Sequence, residues 1–89
     1  MKKITMFTMA SCPYCKAALR YMEQLQNEYP QYNSLEIEKI DEKVYPDIAD
    51  RYDYFYVPTY YVGDIKLHEG PSTLEAIKQV FDAALSNGE

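Results

Sequence analysis

The chain contains no tryptophan, a single histidine, three glycines and two cysteines, and each scarcity excludes something. Two cysteines are too few for the disulfide framework of a small secreted scaffold. Together with His68 they also fall short of the four ligands of a closed structural zinc site. Basic residues are the minority, nine against fourteen acidic ones, for a net charge of -5. That balance argues against nucleic acid or an anionic membrane as partner, because both are recognised by clustered Lys and Arg. No apolar run approaches the length that spans a bilayer. Linkers, repeats and low-complexity tracts are missing too, so the 89 residues are read as one domain over 1–89 with one core.

Met1-Lys2-Lys3 followed by Ile4 to Ala10 superficially has the order of a signal peptide. The apolar stretch is short, is broken by Thr5 and Thr8, and runs straight into the first cysteine. The expectation is a cytoplasmic monomer. In a reducing compartment a cysteine pair points to catalysis or metal binding before it points to a structural disulfide.

What is present is ordered. Lys3 to Phe7, rich in β-branched and apolar residues, reads as a first strand. Cys15, Ala18, Leu19, Met22, Leu25 and Tyr29 then recur at helical spacing, with Lys16, Arg20, Glu23, Gln24 and Asn27 on the opposite face. Pro13 suits the first turn of that helix and Pro30 stops it. Leu35, Ile37 and a terminal Ile40 alternate with Glu36 and Glu38 as a second strand. Pro46 opens a short helix turning Ile48, Ala49 and Tyr52 inward. Val57 to Val62 reads as a third strand and Ile65 to His68 as a fourth, joined at Gly63-Asp64 as an antiparallel hairpin. Ser72 with Glu75 has the spacing of a capping box. Leu74, Ile77, Val80, Phe81, Ala84 and Leu85 stripe a final helix ending near Gly88. The order β-α-β-α-β-β-α predicts an α/β fold: a mixed four-stranded sheet with three helices distributed over both faces.

The two cysteines stand as Cys12-Pro13-Tyr14-Cys15, at the junction between the first strand and the first helix. A thiol reacts as its thiolate, and a helix N-terminus stabilises that anion through unpaired N–H groups and the positive end of the dipole. Cys12 sits at or just before the first helical residue; Cys15 lies one turn in and is expected to be more buried. This asymmetry predicts that Cys12 attacks a disulfide and Cys15 resolves the mixed disulfide. Lys16 is the nearest basic residue in sequence.

Cys12-Pro13-Tyr14-Cys15 after an N-terminal strand, with Val57-Pro58 before an antiparallel hairpin, resembles the glutaredoxins over essentially the whole chain. The resemblance implies a thioredoxin-like fold and a disulfide oxidoreductase of electron transport and cell redox homeostasis. It implies that Pro58 is cis and lies against the redox motif, and that Val57 presents backbone to a substrate's extended segment. It further implies disulfide-containing proteins as substrates, glutathione as co-substrate, and no tightly bound cofactor.

Gly70-Pro71-Ser72-Thr73 stands where the family has Gly-Gly followed by Asp at the glutathione γ-glutamyl end. Gly70, Ser72 and Thr73 are therefore the candidates there, at a helix start that favours a carboxylate. Met9 stands where many glutaredoxins carry a lysine. Asp47-Ile48-Ala49-Asp50-Arg51-Tyr52, leading to Val57-Pro58-Thr59, is similar instead to small thioredoxin-like proteins, which usually take electrons from a flavoprotein reductase. An iron–sulfur cluster carrier is disfavoured by Pro13 and Met9, and a non-catalytic interaction domain is a third, weaker reading.

Of the ten tyrosines in 89 residues, six concentrate before and within the third strand, at Tyr45, Tyr52, Tyr54, Tyr56, Tyr60 and Tyr61. Packing in the core and on the sheet accounts for most of them. Tyr14, inside the motif, and Tyr56 are the candidates for a substrate groove. His68 is read as a strand or turn residue. Arg51 and Lys43 are exposed helix charges that could meet a glutathione carboxylate, and Glu36, Glu38, Asp41 and Glu42 are a solvated strand edge and turn.

Overall fold

A computed structural model describes residues 2–86. Strands β1 (Ile4–Thr8), β2 (Ile37–Asp41), β3 (Thr59–Val62) and β4 (Ile65–Glu69) form one sheet in the order β2-β1-β3-β4. β1 pairs parallel to β2 and antiparallel to β3, which pairs antiparallel to β4. Helices α1 (Pro13–Glu28), α2 (Pro46–Ala49) and α3 (Leu74–Ser86) complete the expected order. The expected end near Gly88 lies outside the described residues.

Alternation along the central strands divides the core into two layers. Ile4 and Met6 of β1, with Tyr60 and Val62 of β3, pack against Ala18, Met22 and Leu25 of α1 and Ile77, Phe81 and Ala84 of α3. Phe7 and Tyr61 face the other way, toward Ile40, Ala49 and the rings of Tyr52 and Tyr54. Phe7 is the hub of that layer, with ring centroids of Tyr52 and Tyr54 at 4.6 and 4.9 Å. Because both faces of the sheet are covered, Ile37 and Ile40 in β2 serve opposite layers, and the period-two reading of this strand holds only in part.

Four local expectations are corrected. β3 starts at Thr59, two residues later than predicted, because Pro58 has no N–H to give to a ladder. Leu35 is buried but precedes β2. Pro30 ends α1 and also opens a 3₁₀ turn, Pro30–Ser34, that the sequence reading missed. This turn places Tyr32 under α3, its ring centroid 5.1 Å from Phe81 and its hydroxyl donating to the Asp82 carboxylate.

The fourth concerns α3. Thr73, not Ser72, is the cap: Thr73 Oγ1 accepts from Ala76 N at 3.1 Å. Glu75 therefore falls too early in the helix to complete a capping box. Ser72 Oγ instead donates to Gly70 O at 3.0 Å and accepts from the buried Tyr60 hydroxyl at 3.0 Å.

The hairpin turn is as read. Gly63 has φ +59° while Asp64 keeps a negative φ, and Val62 pairs with Ile65 across these two residues. A positive φ at the first of two loop residues is the type II′ pattern, which favours glycine there. A bulge between Tyr60 and Tyr61 then shifts the β3–β4 register, so that Tyr60 faces His68 and Tyr61 faces Lys66.

Candidate active site

β1 ends at Thr8 and α1 begins at Pro13, so the chain turns from strand to helix across the first cysteine. Cys12 is the N-cap of α1, with extended backbone at φ -86° and ψ 117°. Its carbonyl accepts from Lys16 N at 3.1 Å and its sulfur from Cys15 N at 3.4 Å. The sulfur thus occupies the place of a capping oxygen, sharing the Cys15 N–H with the Cys12 carbonyl, which accepts from it at 3.1 Å. Pro13 at the first helical position removes one of the unpaired donors without cost to the ladder.

Both cysteines are free thiols. Cys12 is 8% exposed and Cys15 only 1%. Burial pushes the Cys15 thiol upward, hydrogen bonding to the Thr8 side chain opposes this, and the neighbouring Cys12 adds to the rise.

The Val57-Pro58 peptide is cis and lies opposite the cap. Cys12 Sγ donates to Val57 O at 3.9 Å, a contact that brings together groups 45 residues apart in the chain. Pro58 is fully buried, and its carbonyl accepts from Gly70 N at 2.8 Å. Gly70 has φ +94°, which favours glycine at this crossing.

The segment leading to Val57 is held from β4. The Glu69 carboxylate accepts from Phe55 N, from Tyr56 N at 2.9 Å and from Lys66 Nζ at 2.8 Å. These donors lower its pKa to about 2, the Lys66 ammonium contributing most and the two backbone N–H groups next. Lys66 also donates to Asp53 O at 3.2 Å, and the Thr59 hydroxyl donates to Tyr56 O.

Of the residues singled out in the sequence, Cys12, Cys15 and Val57 meet directly, and Pro58 and Gly70 are joined to them through backbone. Tyr14 is 57% exposed beside the motif. The hydroxyls of Ser72 and Thr73 are both engaged by their own chain at the start of α3. Lys43 lines a cleft of about 400 Å³ beside α2 together with Glu42, Asp50, Tyr52 and Phe55, whereas Arg51 lines another with Tyr61 and Asp64. Neither cleft contains a cysteine. His68 sits on β4 with Nε2 3.1 Å from Pro71 O. Among the described residues no group of three or more His, Cys, Asp or Glu is placed to hold a metal ion.

Two residues at the site were missed. Thr8 registered only as a break in an apolar run, although its position at the end of β1 carries its side chain to Cys15. Glu69 carried no signal at all, since an acidic residue at a strand end reads as solvated.

A mixed sheet of this topology, with a C-x-x-C pair capping α1 against a cis-proline loop, defines the class of thioredoxin-fold dithiol proteins. The comparisons agree. A family model described as Glutaredoxin matches residues 4–66. A protein named thioredoxin from Methanocaldococcus jannaschii is 37% identical over 81 residues, covering 86% of this chain and 93% of the relative. Among solved structures, oxidised thioredoxin from Plasmodium falciparum superposes with a TM-score of 0.69 at 18% identity, over 90% of this chain and 77% of that one. Thioredoxin 1 from Thermosipho africanus gives 0.59 at 22% identity, over 96% and 98% of the two chains. At such identities the structures speak for the fold. The chain belongs to the glutaredoxin family, within the thioredoxin superfamily of thiol–disulfide oxidoreductases. No helix among the described residues is long and apolar enough to cross a membrane.

Proposed function

We propose that the protein reduces protein disulfides and glutathione-mixed disulfides through Cys12 and Cys15. The thiolate of Cys12 attacks one sulfur of the substrate; the substrate S–S bond breaks and the departing thiolate takes up a proton. Cys15, as thiolate, then attacks Cys12 Sγ, releases the second substrate thiol and leaves a Cys12–Cys15 disulfide. Two electrons pass to the substrate, and glutathione returns them to the protein. The observation that carries the division of roles is the asymmetry at the cap. The Cys12 sulfur faces the Cys15 N–H at the head of α1, while Cys15 is the more deeply buried and its thiol is pushed up.

In this reading Tyr14, Val57 and Pro58 border the substrate's path to Cys12, and Gly70, Ser72 and Thr73 form the glutathione end. Cys12→Ser is expected to abolish turnover, and Cys15→Ser to keep monothiol activity on glutathione-mixed disulfides. Full activity in Cys12→Ser overturns the assignment.

A second reading differs only in the electron donor, taking electrons from a flavoprotein disulfide reductase. Its support is the prior engagement of the Ser72 and Thr73 hydroxyls, with Met9 where a lysine would assist glutathione, together with the similarity to an archaeal protein named thioredoxin.

A further inference from the structure

Phe55 and Tyr56 are among the most exposed large apolar side chains described, at 83% and 69%. Neither is held by packing, yet the backbone beneath them is fastened: both N–H groups converge on one carboxylate oxygen of Glu69. The other oxygen of Glu69 takes Lys66 Nζ, which also reaches back to Asp53 O at the start of the same segment. Val57, the next residue, accepts from the Cys12 sulfur. Tyr54 and Val57 on either side pack in the Phe7 layer, and between these two anchors the exposed tip at Phe55 and Tyr56 is held by a charge-assisted clamp on β4.

Resting on the reading of Cys12 as nucleophile, we propose that Glu69 is a positioning residue for polypeptide disulfides. It holds the Phe55–Val57 segment so that a substrate strand bearing an apolar or aromatic residue beside its disulfide lies over Phe55 and Tyr56 with its sulfur at Cys12. Glu69 does not reach the reacting sulfurs; it acts through backbone it fixes in place. Loss of the clamp frees two amides at once. A conformationally restricted docking edge then becomes one that must be ordered at each encounter.

The test compares wild type with Glu69→Ala and Glu69→Gln, all shown folded by circular dichroism. It measures reduction of a disulfide-bridged peptide with phenylalanine next to one cysteine, and native-state hydrogen exchange at the Phe55 and Tyr56 amides. Glu69→Ala is expected to raise the peptide KM about tenfold and to speed exchange at both amides. Glu69→Gln, whose amide oxygen still accepts from both N–H groups, is expected to recover KM to within about threefold of wild type. A Glu69→Ala peptide KM within about twofold of wild type, or a Glu69→Gln variant as impaired as Glu69→Ala, overturns the proposal. A wild-type protein inert toward the peptide overturns the underlying reading as well, so the two failures are told apart.

Discussion

At Cys15 burial acts in two ways. It withholds the Cys15 thiol from solvent, and it raises the pKa of that thiol. A group whose folded pKa lies above its unfolded value contributes stability that is complete below the unfolded pKa and is lost as pH rises through the folded one. The reduced protein is therefore expected to lose stability above about pH 9, the ordinary value for the thiol, and Cys15→Ser to lose less over the same range. Urea melts of both at stepwise pH check this; parallel curves would show that Cys15 contributes nothing. Buried phenols add losses of the same sign at still higher pH, since desolvation pushes Tyr60 up to about 12.

Among the elements, the start of α3 separates two hydroxyls that are adjacent in sequence. Thr73 Oγ1 caps the helix, and Thr73→Ala is expected to cost about 1 kcal/mol, within the usual range for a lost cap. Ser72 Oγ is the acceptor for the Tyr60 hydroxyl, which lies on a fully buried side chain. Ser72→Ala removes that acceptor and is expected to cost roughly 1–3 kcal/mol. Tyr60→Phe made together with Ser72→Ala is expected to recover part of the loss. Chemical denaturation of the four proteins decides, and a cost for Ser72→Ala without any recovery in the double variant would place the effect elsewhere. At the β3–β4 hairpin, Gly63→Ala forces a side chain onto φ +59° with Lys2 Cδ 3.3 Å from the new Cβ. A loss of about 1–2 kcal/mol is expected there.

For the molecule as a whole, stability and electron supply are separate questions. Phe81 is fully buried between α3, the sheet and the Tyr32 ring. Phe81→Ala is expected to cost about 3–5 kcal/mol, a large part of what a domain of this size has. A midpoint shift worth under about 1 kcal/mol would mean the helical layer repacks around the gap. The donor is decided by comparing recycling with glutathione and its reductase against recycling with thioredoxin reductase. Rapid turnover with glutathione is the expected outcome, and turnover confined to thioredoxin reductase would replace it.

Much of the molecule was legible along the chain because its signals are local. The helical period from Cys15 to Leu25, the prolines at the heads of α1 and α2, and Gly63 at the turn depend on neighbours within a few residues. The pair Cys12 and Cys15 was legible for the same reason, since strand, cap and helix are contiguous there. Cross-chain contacts were not legible. The exchange of capping roles between Ser72 and Thr73 follows from where Tyr60 points, and the 3₁₀ turn at Pro30 is stabilised by Tyr32 packing on Phe81, far along the sequence. Sequence by itself determined the fold's element order and the placement of the cysteine pair at the head of α1. Only tertiary structure set Val57 against the Cys12 sulfur and put Glu69 under Phe55 and Tyr56. Those contacts arise where strands distant in sequence become neighbours in one sheet, and a single side chain's composition or spacing carries no record of them.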